Sequence, residues 1–139
     1  VRVHTGEIRL ATAGCDDILD ITGRVERIVA DSGIRTGLVG IASPGSTAGI
    51  TTVEFEPGAV ADLARALDRL APRDGKYGHD AAWGDGNGFA HLRSALVGTS
   101  LTLAVREGRP ALGTWQQVVF LEFDNRGRQR ELVVTVVGE

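Results

Sequence analysis

The sequence predicts a single α+β domain over residues 1–139, with mixed or antiparallel sheets and a few helices. Three observations carry this. Strand-like runs of alternating or wholly apolar residues occupy both ends of the chain. Stretches with helical spacing lie between them. The two kinds come in a mixed order rather than a regular β-α-β succession. A chain of 139 residues, 42% hydrophobic and 24% charged, can bury one core without a metal or disulfide staple.

Residues 2–12 alternate as a strand, with Val3, Ile8 and Leu10 apolar and an interruption at Thr5-Gly6. The apolar piece Ile18–Ile21 leads into Thr22, the expected N-cap of a helix over 23–31 that faces Val25, Ile28 and Val29 inward and ends at Gly33. A buried strand follows at 37–42, then the turn Ser43-Pro44-Gly45-Ser46 and a strand over 48–56. In that strand Val53 and Phe55 share one face, and Thr52, Glu54 and Glu56 the other. Pro57 opens a helix over 58–70 with the stripe Val60, Leu63, Leu67 and Leu70. Residues 72–86 read as a long glycine-rich loop. A helix over 87–97 is expected to bury Phe89, Leu92 and Leu96 and to turn His91 away from them. Strands at 99–105, 117–124 and 131–137 complete the chain. The runs Val118–Leu121 and Leu132–Val137 are apolar on both faces, as central covered strands are.

The formal net charge is −3 and the isoelectric point is about 5.6, which argues against a nucleic-acid partner. No apolar run approaches the roughly 18–20 residues of a membrane span, and Val1-Arg2-Val3-His4-Thr5 lacks the plan of a signal peptide. The single cysteine, Cys15, fits a reducing compartment, and a cytoplasmic location is expected. Its neighbours Asp16 and Asp17 disfavour a thiolate, so it is discounted as a nucleophile.

Several groups of residues can carry chemistry. His79 and His91, with Asp80 or Asp85 nearby, could ligate a divalent metal such as Mg or Zn, or act on a substrate directly; the plainer reading is two surface or helix-end histidines. Glu54 and Glu56, about 7 Å apart along a strand, could work as acid and base or form a solvated face. Pro44-Gly45-Ser46-Thr47 could hold an anion on backbone N–H groups and hydroxyls or be a simple connection. Asn87 is a strong N-cap candidate beside a glycine loop, and a helix start there could also take an anion. Trp115, between Thr114 and Gln116, could stack on a ring or anchor a core or subunit contact. Arg126, Arg128 and Arg130 read as a solvated hairpin turn, unless one of them points inward to a phosphate.

The ordered set Tyr77-x-His79, Ala90-His91, Ser94-x-Leu96-x-Gly98-x-Ser100-Leu101-Thr102, Gly108, Leu112-Gly113-Thr114-Trp115-Gln116, Glu122 and Arg130 resembles the YjbQ-type family, whose members are described as secondary thiamin-phosphate synthases. The resemblance covers essentially the whole chain. It implies a compact α+β fold packed as a homotrimer. It also implies an activity that joins a hydroxymethylpyrimidine diphosphate to a thiazole phosphate with loss of pyrophosphate. On that basis Ser46, Thr47 and Arg130 contact phosphate, and Asn87, Thr114 and Gln116 contact the substrate. Trp115 stacks on a ring, and Glu54, His79 and His91 are catalytic. His79, His91 and Asp85 are the candidates to hold a divalent metal. The chain departs from many relatives at Gly45, where they carry histidine, at Gly86-Asn87, where they carry an acidic pair, and at Val53, where they carry asparagine. The alternatives are a non-catalytic binder of a phosphorylated metabolite and a metal-dependent hydrolase using His79 and His91.

Overall fold

The computed structural model describes all residues, Val1–Glu139. The elements are β1 (Arg2–Ala11), β2 (Asp17–Asp20), α1 (Thr22–Ser32), β3 (Thr36–Ala42), β4 (Ala48–Val53), α2 (Pro57–Leu70), α3 (Gly78–Trp83), α4 (Gly88–Val97), β5 (Ser100–Arg106), β6 (Arg109–Pro110), β7 (Gln117–Glu122) and β8 (Gln129–Gly138). Two antiparallel sheets form, one in the order β1-β8-β3-β5-β6 and the other β2-β7-β4. The α+β class therefore holds. No helix is long and apolar enough to cross a membrane.

The inner faces of the sheets meet α1 in one core, which includes Ile8, Val25, Val29, Val39, Ile50, Phe120 and Val134. The opposite face of the small sheet packs Val119 and Leu121 against Leu67 of α2 and Phe89 and Ala90 of α4. Strand β7 is thus covered on both sides, as its unbroken apolar run predicts. Strand β8 differs. Leu132, Val134 and Val136 are buried, whereas Val133 is half-buried and Val137 is exposed. The outer face of the large sheet is open, with Val3 and Leu38 exposed on either side of Val137.

Several element ends are set by side chains that sequence spacing does not weigh. Thr22 is the first residue of α1 and not its cap; its hydroxyl donates to Asp20 Oδ1 at 2.7 Å and accepts the Val118 N–H at 2.8 Å. Strand β4 stops at Val53, short of the expected residue 56. Glu56 caps α2 instead, accepting the Gly58 and Ala59 N–H groups at 2.8 Å each. Those two hydrogen bonds hold the Glu56 carboxyl below its usual range, and they satisfy donors that a helix start leaves unpaired. The stripe on α2 is narrower than expected, since Leu67 is buried while Leu70 is exposed.

The expected burial of Leu92 and Leu96 in α4 is not found; both are exposed, and the inward face is Phe89, Ala90, Arg93 and Ser94. Arg93 goes inside because its donors are satisfied there. It reaches Ala71 O at 2.9 Å, Asp16 at 2.8 Å and Asp68 at 3.3 Å, with its guanidinium 5.1 Å from the Phe89 ring centre. A polarity count assigns such a residue to solvent, and that error rotates the whole helix. The expected loop 72–86 contains α3, which approaches α4 so closely that a Cβ on Gly88 would lie 2.6 Å from Tyr77 Cβ.

Candidate functional site

The turn before β4, the start of α4 and the β7–β8 connection, which crosses between the sheets and is not the expected hairpin, enclose a cleft of about 510 Å³ with no hydrophobic side chain in its lining. Six of the proposed site residues stand in it together, Ser46, Thr47, Asp85, Asn87, His91 and Arg130. Asp124, Asn125, Arg126 and Arg128 complete the wall. A second hollow of about 600 Å³ shares Pro44 and the three arginines and continues past Gln129 toward Val133.

Beneath the cleft lies a buried polar network. Glu122, fully buried, accepts Arg130 Nε at 2.9 Å and also Arg130 Nη2, and its Oε1 takes the Thr12 hydroxyl at 2.6 Å. Arg130 Nη2 also donates to Thr47 Oγ1 at 2.8 Å, and the Thr47 hydroxyl donates onward to Asp124 Oδ2 at 3.1 Å. Arg130 is 8% exposed, so it is no part of a solvated turn. Its remaining Nη1 has no hydrogen-bond partner and faces Gly45, where an added Cβ would lie 3.4 Å away. A paired arginine keeps its full charge while lending one free N–H pair to the cleft.

The Thr47 hydroxyl is engaged on both sides and cannot also donate to a ligand. What the turn offers is backbone: the N–H groups of Gly45, Ser46 and Thr47 make no hydrogen bond within the chain. Three successive free N–H groups beside a guanidinium form an anion-accepting surface.

His91 lines the cleft and His79 lies behind it, with ring centres 4.3 Å apart and planes tilted by 36°. His79 Nδ1 is buried without a hydrogen-bond partner, 3.5 Å from Asp80 Oδ1 and 3.9 Å from Asp85 Oδ1. Asp80 is occupied elsewhere, accepting the Gly88 N–H at 2.8 Å. It therefore does the capping expected of Asn87, whose Nδ2 turns to Asp124 Oδ1 at 3.5 Å. The expected metal ligands are His79, His91 and Asp85. No three His, Cys, Asp or Glu side chains group as a ligand set; the two imidazoles lie against each other, and Asp85 Oδ1 stays 3.9 Å from His79 Nδ1. The residues present do not fit the implied divalent metal.

Glu54, Thr114, Trp115 and Gln116 are not at this cleft. Strand β4 has Ala48 opposite Glu122 at the cleft end and Val53 opposite Gln117 at the other, a separation of roughly 17 Å at about 3.4 Å per residue. There Glu54, Thr114 and Trp115 line a hollow of about 470 Å³ with Asp20, Phe55 and Glu56. Glu54 lies beyond the end of the strand, not near its middle. Trp115 is 73% exposed, so it is not a core anchor. The Gln116 amide is committed to its own turn, accepting the Gly113 N–H at 3.0 Å and donating to Thr52 at 3.3 Å.

The residue passed over in sequence is Asp124. Burial alone would raise its carboxyl, but hydrogen bonds from Asn125 N–H, Thr47 and Asn87, with Arg128 nearby, hold it below the usual range. Two acids and two arginines at alternate positions on either side of the turn after β7, Glu122, Asp124, Arg128 and Arg130, were the signal available. Cys15 agrees with its reading: burial first, then its hydrogen bond to Asp16, push the thiol up to about 12.

Two antiparallel sheets, a helix-backed small sheet and a polar, arginine-floored cleft at its end define a small α+β protein. Residues 6–139 match the family model described as UPF0047 protein YjbQ-like, and the chain belongs to that family. It is 37% identical over 139 residues to a UPF0047 protein of Methanothermobacter thermautotrophicus, covering 100% of this chain and 95% of the relative. It is 35% identical over 132 residues to UPF0047 protein YugU of Bacillus subtilis, covering 94% and 97%. The crystal structure of a YbjQ-like protein of unknown function from Sulfolobus solfataricus superposes with a TM-score of 0.94 at 33% identity, covering 99% of each chain. A YjbQ/UPF0047 family protein of Clostridium acetobutylicum superposes with a TM-score of 0.86 at 34% identity, covering 95% of this chain and 99% of that one.

Proposed function

We propose that the cleft binds a phosphorylated small metabolite and that the chain is a transferase of the thiamin-phosphate-synthase kind. The supporting observation is the cleft wall, where Arg130 Nη1 lies next to Gly45, the N–H groups of Gly45, Ser46 and Thr47 make no hydrogen bond within the chain, and His91 lines the same space. In this reaction the C–O bond of the pyrimidine diphosphate breaks and its electron pair leaves on pyrophosphate. The thiazole nitrogen lone pair forms the new C–N bond. Preorganised donors stabilise charge developing on the leaving oxygens, and the His91 imidazole can act there as a hydrogen-bond donor or general acid. No step runs through a metal.

The test supplies purified protein with the two substrates, alongside a His91→Ala control. Thiamin phosphate from the wild type and little from the control supports the reading; no product from folded wild type removes it. A second reading, binding without turnover, is favoured by one observation. The cleft has no apolar or aromatic lining, and Trp115, the candidate to stack on a ring, lies at the far end of the small sheet. Phosphate-ester binding without product would establish it.

We also propose a homotrimer in a cytoplasmic setting. The open outer face of the large sheet, with Val3, Leu38 and Val137 exposed, supports assembly, since monomers seldom leave such a row uncovered. A monomeric mass in sedimentation equilibrium would remove it.

A further inference from the structure

We propose that the cleft selects a phosphorus oxoanion that still carries an O–H, taking phosphate in preference to sulfate, with Asp124 as the specificity-determining acceptor. This rests on the phosphate reading above and deepens it.

A site built for charge alone would present only donors. This cleft sets acceptors among its donors: the Asp124 and Asp85 carboxylates and the Asn87 side chain, whose Oδ1 is buried with no hydrogen-bond partner. Asp124 is 2% exposed. Its Oδ2 takes the Thr47 hydroxyl at 3.1 Å; its Oδ1 takes Asn125 N–H at 2.8 Å and Asn87 Nδ2 at 3.5 Å; Arg128 Nε stands 3.6 Å away. These contacts keep it an ionised group that accepts and never donates.

The direction of the Thr47 hydroxyl is fixed as well. Arg130 donates to Thr47 Oγ1, so its proton goes to Asp124 and is not free to turn toward a ligand. A carboxylate held so beside an oxyanion repels it unless a hydrogen lies between them. Phosphate brings that hydrogen and sulfate does not. Rejection of the ion that lacks it follows from leaving buried polar groups unpaired and like charges adjacent.

The test is calorimetric titration with inorganic phosphate and with sulfate, at pH 7.5 and matched ionic strength, with and without EDTA. Phosphate is expected to bind at least about tenfold tighter, equivalent to about 1.4 kcal/mol, and EDTA should not change that ratio. Asp124→Asn should bring the ratio toward one by admitting sulfate. Asp85→Asn, at an exposed position, should narrow it less and serves if the first variant does not fold. Methyl phosphate separates free phosphate from an ester. Its second ionisation near about 6 removes its O–H, so the ester should bind as its protonated monoanion, with an affinity that falls between pH 5.5 and pH 7.5. Equal binding of phosphate and sulfate, or a methyl phosphate affinity that stays flat between pH 5.5 and pH 7.5, overturns the proposal. A preference that EDTA abolishes also overturns it, because the acceptors would then be holding a cation. If neither phosphate nor sulfate binds, the phosphate reading itself falls.

Discussion

Glu122 on β7 and Arg130 on β8 meet across the gap between the two sheets as a buried pair, with Arg130 Nε donating to Glu122 Oε1 at 2.9 Å. Glu122 has no exposure at all and Arg130 only 8%. The pair ties β7, the middle strand of the small sheet, to β8 of the large one and leaves a single guanidinium nitrogen free beside Gly45. Removing one partner leaves an uncompensated charge in the interior. Glu122→Ala is therefore expected to lower stability by about 3–5 kcal/mol, measured as a fall in urea midpoint at unchanged m-value. A change within about 0.5 kcal/mol would mean that Arg130 is hydrated in solution.

His91→Ala and His79→Ala are each expected to cut turnover at least about tenfold while the fold is kept. His91 lines the cleft and His79 supports it from behind, at a ring separation of 4.3 Å. Circular dichroism and product formation, read together, check this. Wild-type rates in both variants would remove the pair from the chemistry.

The fold was largely legible because most of its elements obey simple periods. The β7 run announces a strand covered twice, and Gly33 ends α1 with φ of +68°, as a helix-terminating glycine does. What was illegible is where polar groups go inside. Arg93 and Ser94 occupy the inward face of α4, so apolar spacing alone aimed that helix wrongly. Glu56 left the strand to cap a helix, which only the competition between ladder and cap decides. The site was half legible. Ser46, Asn87, His91 and Arg130 do meet, but Trp115 and Glu54, nearby along the motif order, lie a strand length away.

Acid should weaken the protein through Asp124. Its carboxyl is held below the usual range in the fold, so the unfolded chain binds that proton more readily. The resulting stability is complete above the ordinary aspartate value of about 3.9 and is lost as pH falls through the lower folded value. Urea midpoints measured from pH 6 down to pH 2.5 should therefore drop at the acid end, and Asp124→Asn should flatten that drop. An identical acid profile in the variant would show that other carboxylates govern the loss.

Cys15 should be silent toward thiol reagents while the chain is folded. Burial and the Asp16 carboxylate push its thiol up to about 12, and Arg93 Nη1 stands 3.4 Å from the sulfur without reversing the shift. The reactive species is the thiolate, so at pH 8 the native fraction is roughly one part in ten thousand on a tenfold-per-unit scale. Unfolding returns the thiol to an ordinary value and raises that fraction by orders of magnitude. Reaction with a chromogenic disulfide should accordingly be very slow in buffer and fast in denaturing urea. A fast native reaction would mean that the segment joining β1 to β2 opens readily, since exposure of Cys15 requires leaving both Asp16 and Arg93.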